Sequence, residues 1–248
     1  MVPDEVSSVG IPAGNGWFET THWSVVASAR DPDSPQARAA LEQLCRTYWY
    51  PLYVFVRRQG RGVADAEDLV QGFFAKLIEK NYLAGIDREK GRFRSFLLLA
   101  FNRYAANEWD RDRREKRGGG RELVSLDEQD TEGRFSHEPA DEMSPERAYD
   151  RRWALTLLEQ VLNRLEAEFD QSGRQKLFSE LKAFLTGEKG ASYAAVGVKL
   201  GMSEGAVKVA VHRLRQRYRE LLRLEVANTV NDTDDIEDEI RHLLSVLG

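Results

Sequence analysis

The sequence predicts an all-α protein of two helical domains joined by an acidic linker, and three observations carry that prediction. Apolar residues recur at threes and fours through most of the chain. No segment shows the alternation of a strand, and no internal repeat is present. A central stretch, 121–145, holds Gly, Pro and abundant acids without periodicity, which marks a domain boundary. At 248 residues the chain can bury a real core in either half.

Residues 1–19 read as a disordered leader, and the acids Asp4 and Glu5 exclude a secretory signal there. Helical patterning begins near Thr20 or Thr21, either of which suits the cap before Trp23. Over 34–58, Leu41, Leu44, Cys45, Tyr48, Trp49, Leu52, Phe55 and Val56 give one wide apolar face, with Pro51 a possible kink. Over 64–80, Leu69, Val70, Phe73, Phe74, Leu77 and Ile78 repeat the period behind an acidic opening turn. A third helix, 93–117, starts apolar and ends highly charged before Gly118-Gly119-Gly120 breaks it. Beyond the linker, helices are expected over 145–168 and 174–186, then a compact unit over 192–224 and a short amphipathic helix over 236–247. The expected division is a first domain at 20–118, a linker at 119–145, a second domain at 146–224 and an acidic tail at 225–248.

Composition excludes several functions. One cysteine and four scattered histidines rule out a disulfide framework and make a metal site or metalloenzyme improbable, and no cofactor is expected. No apolar run is long enough to span a membrane. The formal charge of −5 conceals alternating blocks. Residues 86–121 carry 11 Lys/Arg against 6 Asp/Glu, and 199–223 carry 7 against 2. Each basic block is followed by an acidic one: 122–150 has 10 acids against 2 bases, and 225–248 has 7 against 1. Two basic blocks in separate helical units point to a polyanion partner, although a charge run is more often a solvated face.

The segment from Tyr193 to Val211 fits a helix-turn-helix. Val196 and Leu200 face inward, Gly197 permits a close helix crossing, Gly201 supplies a left-handed turn, and Ser203 caps the second helix. Val207, Val211, Leu214 and Tyr218 form its buried face. Lys208, His212, Arg213, Arg215 and Arg219 form a basic one suited to phosphates and major-groove edges. A plain helical hairpin with a glycine turn is the bland alternative. In the first domain, Asp65-Ala-Glu67-Asp68-Leu69-Val70-Gln71 places acids and an amide at one end of a helix, either as a solvated turn or as a protein-docking surface. Asn102, Arg103 and Asn107 run along the polar side of the next helix. Trp109, Arg111, Arg113 and Arg114 follow, a combination that holds unstacked bases and backbone phosphates.

The Asp-Ala-Glu-Asp-Leu-Val-Gln helix, the Phe93-Arg94-Ser95-Phe96-Leu97 helix ending in arginines, the acidic linker and the terminal helix-turn-helix together resemble a bacterial RNA polymerase sigma factor of the extracytoplasmic-function (ECF) subfamily. The resemblance covers about 20–224. It implies a non-enzymatic factor that binds core RNA polymerase and directs promoter recognition and transcription initiation in the cytoplasm, at the bacterial nucleoid. It implies that Asp65, Asp68 and Gln71 dock on the polymerase. Asn102, Arg103, Asn107, Arg111, Arg113 and Arg114 would then meet the −10 element of promoter DNA, with Asn102 and Arg103 alternatives for one position. Ser203, Gly205, Lys208, Val209, His212 and Arg213 fall on the −35 contact positions. Gly72 stands where the family often has an acid, and Ala206, Val209 and Ala210 replace more polar residues of the recognition helix.

About 24 residues continue past the recognition helix, beyond the usual end of such factors. The expected role is a helix that packs onto the second domain. A second expectation is that its acids screen the basic recognition face. An anti-sigma factor or kinase is a further possible partner. Two other readings remain open: a stand-alone helix-turn-helix transcriptional regulator that acts without polymerase, and an all-α enzyme, for which no nucleophile–base set exists. Cys45, among Leu44, Tyr48 and Trp49, is expected to be buried and inert.

Overall fold

A computed structural model describes residues 35–79, 92–115, 133–136, 143–187, 192–227, 229–230 and 235–248. The described residues are mostly helical, joined by short turns and without strands. In chain order the helices are α1 (Pro35–Arg58), α2 (Val63–Glu79), α3 (Phe93–Glu115), α4 (Pro145–Gln171), α5 (Gln175–Leu181), α6 (Ala183–Thr186), α7 (Tyr193–Leu200), α8 (Glu204–Ala227) and α9 (Asp235–Leu247). The expected leader and the start near Thr20 lie outside the described residues. So does most of the linker, of which 133–136 forms one helical turn whose Phe135 packs edge-on against Tyr53. No described helix is long and apolar enough to cross a membrane.

The apolar periods explain two cores. The first gathers Tyr48, Tyr53 and Phe55 of α1, Phe73 and Leu77 of α2, and Phe93 and Phe101 of α3. Its rings meet edge to face, Phe73 on Phe101 at 5.2 Å and Phe55 on Phe101 at 6.1 Å, the arrangement that ring quadrupoles favour. Pro51 sits buried inside α1. The second core joins Val161 and Leu165 of α4, Phe178 and Leu181, Val196 of α7, and Val207, Val211 and Leu214 of α8.

Helix α4 belongs to both cores. Ser144 caps it, its hydroxyl accepting from the Arg147 N–H at 3.3 Å, with Pro145 in the first turn where a missing N–H costs nothing. At 27 residues it is about 40 Å long. Its first half buries Tyr149, Trp153, Ala154 and Leu157 against α1, and its second half buries Val161 and Leu165 in the other unit. The sequence reading places this helix wholly in the second domain, because periodicity shows that a face is buried but not against what.

The tail departs from expectation in the same way. Helix α9 packs on α4 and α8, and its Leu243 and Val246 join the first core beside Val226. It therefore does more than extend the second domain. The stretch 174–186 is also not one helix: it breaks at Lys182 into α5 and α6.

Candidate nucleic-acid interface

Three exposed faces carry the residues singled out from sequence. On α2, Asp65, Asp68 and Gln71 are exposed at three-residue spacing, while Ala66, Val70, Phe73, Phe74 and Leu77 are buried behind them. Glu67 differs from its acidic neighbours: it is buried, so the acidic turn is not uniformly solvated. Gly72 has a packing reason. A Cβ there would lie 2.4 Å from the Tyr104 hydroxyl oxygen of α3, so a larger residue must displace that hydroxyl.

On α3, Asn102, Arg103 and Asn107 are exposed, opposite the buried Phe101 and Ala105. Both alternatives for the ambiguous position, Asn102 and Arg103, are thus accessible. The side chains of Arg111, Arg113 and Arg114, on the last turns, lie outside the described residues. Trp109 is half-buried, with the Arg61 guanidinium 4.4 Å from its ring centre, a cation–π contact. Sequence reading did not single out Arg61. The available signal was the basic turn Arg57-Arg58-Gln59-Gly60-Arg61, where Gly60 adopts a left-handed φ of 82°.

The third face is the helix-turn-helix, built as expected. Ser192 caps α7 with its hydroxyl accepting from the Ala195 N–H. A Cβ on Gly197 would stand 2.7 Å from the Met202 carbonyl oxygen, so only glycine permits this crossing. Gly201 turns the chain at φ 66°, and the Ser203 hydroxyl accepts from the Ala206 N–H at 3.2 Å to open α8. Val207, Val211 and Leu214 are buried, while Ser203, Gly205, Lys208, His212 and Arg213 are exposed and Val209 is 51% exposed.

The basic block on α8 is less free than its count suggests. Lys208 pairs with Glu204 at 2.6 Å, and Arg217 makes a fork with Glu168, both N–O distances 2.8 Å. Arg215, expected on the DNA side, donates to the Phe184 carbonyl of α6. Among the described residues, Arg213 and Arg219 carry no ion pair. An apolar groove beside this face, floored by Leu177, Leu181, Met202 and Leu214, shares Val209 and Arg213 with it.

One further arginine was missed as a functional candidate. Arg94, in the first turn of α3, is 4% exposed and contacts Glu239 of α9, itself fully buried. Arg94 Nε also donates to Asp150 at 3.1 Å, its guanidinium lies 4.6 Å from the Trp153 ring centre, and its carbonyl accepts from the Tyr149 hydroxyl. Burial draws the Arg94 guanidinium below its usual pKa, and Asp150 opposes that shift. Arg92 reaches the other Glu239 oxygen at 2.9 Å. The described part of the tail therefore sits on the start of α3 and the far end of α8, where Arg223 pairs with Glu237. That part does not cover 203–213 and so lends the screening expectation no support. The acids at 231–234 lie outside the described residues.

A helix-turn-helix beside a second helical unit whose exposed edge carries Asn102, Arg103 and Asn107 is an arrangement suited to holding nucleic acid. The ECF sigma factor family profile matches residues 36–224, and the chain belongs to that family. Its members are regulatory DNA-binding proteins, not enzymes, and their role is promoter-directed transcription. No curated protein and no solved structure matches the chain. The match ends before α9, so the tail helix stands outside the family profile.

Proposed function

We propose that the protein docks on core RNA polymerase through Asp65, Asp68 and Gln71 of α2. In this reading α3 holds the −10 element with Asn102 or Arg103, Asn107 and the following arginines. The start of α8 reads the −35 element with Lys208, Val209, His212 and Arg213. The observation that carries the reading is the simultaneous exposure of these faces, each backed by a buried apolar edge on the same helix. Val209 and the exposed Ala206 offer methyl contact to thymines rather than hydrogen bonds, so base discrimination falls on His212, Arg213 and Lys208.

The test is co-elution of the purified protein with bacterial core RNA polymerase, with Asp68→Arg alongside. Asp68 is exposed, so the substitution leaves the core intact. Binding by the wild type and its loss in the variant support docking through α2. If the wild type fails to bind while duplex DNA is bound tightly without polymerase, the stand-alone regulator replaces this reading.

A further inference from the structure

We propose that Glu204, the first residue of α8, is a base-specificity residue: with Lys208 it forms an ion pair that reads one G·C base pair through the major groove. Glu204 accepts from the cytosine N4 amine, and Lys208 donates to guanine N7 and O6. The inference rests on the reading of the helix-turn-helix as a promoter reader, and it names the base pair that this edge recognises.

Glu204 was not singled out from sequence, where an acid in a first turn looks like ordinary support for the helix dipole. Its place says more. The N-terminal residues of a recognition helix are those that reach base edges, and Glu204 directly follows the Ser203 cap. Glu204, Lys208 and His212 stand one turn apart on a single stripe of α8, all three exposed. Val207, Val211 and Leu214 fill the core behind them. Nothing bulky flanks the tip of the stripe. The next two residues are Gly205 and Ala206, both exposed, and a Cβ on Gly205 would meet nothing within 4 Å. Packing therefore does not require that glycine; its effect is a slim helix end that can sit deep in a groove.

Lys208 is held from outside its own helix as well as from within it. Its Nζ lies 2.6 Å from a Glu204 carboxylate oxygen and 5.6 Å from the ring centre of Tyr193 on α7. Tyr193 stacks on Phe184 of α6, with 4.6 Å between ring centres and 4° between planes, and Arg215 holds the Phe184 carbonyl. A flexible lysine is thus placed beside a carboxylate before DNA arrives, which lessens the entropy lost on binding. Both side chains of the pair are exposed, so water screens it and it contributes little to stability.

The pattern of donors and acceptors selects the base pair. Phosphates line the groove, so a lone carboxylate at this edge would repel every duplex alike. A carboxylate tied to a lysine is a different probe, an acceptor and a donor side by side. In the major groove a G·C pair presents guanine N7 and O6 as acceptors, with the cytosine N4 amine as the donor beyond them. The ion pair meets that pattern without separating. An A·T pair places its donor, adenine N6, between two acceptors, so thymine O4 faces the carboxylate.

The experiment enriches randomised duplexes with the full-length protein, alone and together with bacterial core RNA polymerase, and sequences the bound pools. The expected wild-type site holds one position at which G·C is bound about tenfold or more tightly than A·T. Glu204→Ala brings that preference below about twofold and leaves the other positions unchanged. Glu204→Gln turns the same position toward A·T, because a glutamine amide pairs with adenine N6 and N7. Circular dichroism checks that both variants are folded. Variants that keep the wild-type site, with affinity changed evenly across all sequences, overturn the inference and leave Glu204 a helix-dipole residue. A wild-type site with no G·C position overturns it without any variant. Enrichment by the protein alone that polymerase does not change counts against the sigma reading, while the variants still judge Glu204. No enrichment in either arm removes promoter reading and this inference with it.

Discussion

Gly72 of α2 lies directly under the hydroxyl of Tyr104 on α3, so close that a methyl group at Gly72 would stand 2.4 Å from that oxygen. The ring carbon behind the hydroxyl would be 3.5 Å away, an ordinary contact. The hydroxyl is therefore the group that must give way to a side chain here. Gly72→Ala is expected to cost about 1–3 kcal/mol through overpacking, and Tyr104→Phe in the same chain to recover most of it. Urea unfolding of the two single variants and the double variant measures this; additive costs would show that the contact is not the reason for the glycine.

Gly197 should be less forgiving. Its neighbour is the Met202 backbone carbonyl at 2.7 Å, which has no rotamer with which to retreat. Gly197→Ala is expected to cost about 1–3 kcal/mol and to abolish binding to promoter duplex, because the start of α8 shifts. Circular dichroism melting and duplex binding test it, and a variant with wild-type values in both would show that the crossing has slack.

Cys45 is half-buried, not fully buried as expected, and its thiol pKa is still pushed up to about 11, first by desolvation and then by Glu42. About one thiol in a thousand is then ionised at pH 8, so alkylation is expected to be slow in the native protein and to accelerate by orders of magnitude in denaturant. Rapid native labelling by iodoacetamide would contradict this.

His242 gives the tail a pH dependence. Burial chiefly, then the charges of Arg94 and Arg92, hold its pKa below 6.5, while Asp150 pulls the other way and Glu239 faces the same cluster. The folded state prefers neutral imidazole, so the contribution of His242 is complete above the ordinary histidine value and is lost as pH falls through it. Melting at pH 7.5 and pH 5.5 should show a larger loss for wild type than for His242→Gln. Equal losses would assign the acid sensitivity to carboxylates instead.

Much of this architecture was legible beforehand because it is written locally. Helix spans emerge from periodicity, and Gly197, Gly201 and Ser203 declare a helix-turn-helix because a close crossing, a left-handed turn and a cap each demand a particular residue type. What stayed hidden is non-local. Trp153 and Tyr149 announce a buried face but not that it lies against α1. Glu239, amid Glu237 and Asp238, looks like any solvated acid, yet it alone of the three is fully buried. Arg215 and Arg217 count as positive charges in a sequence, and only the fold reveals Phe184 and Glu168 as their partners.

The dual membership of α4 bears on modular engineering. A fragment cut ahead of Pro145 to isolate the recognition half carries Tyr149, Trp153 and Leu157 away as a greasy stripe with nothing to cover it. A fragment cut after Trp153 leaves the other half without its lid. Neither half is a transplantable cassette, and chimeras that exchange promoter preference with relatives need their junction inside the second core, downstream of Leu157.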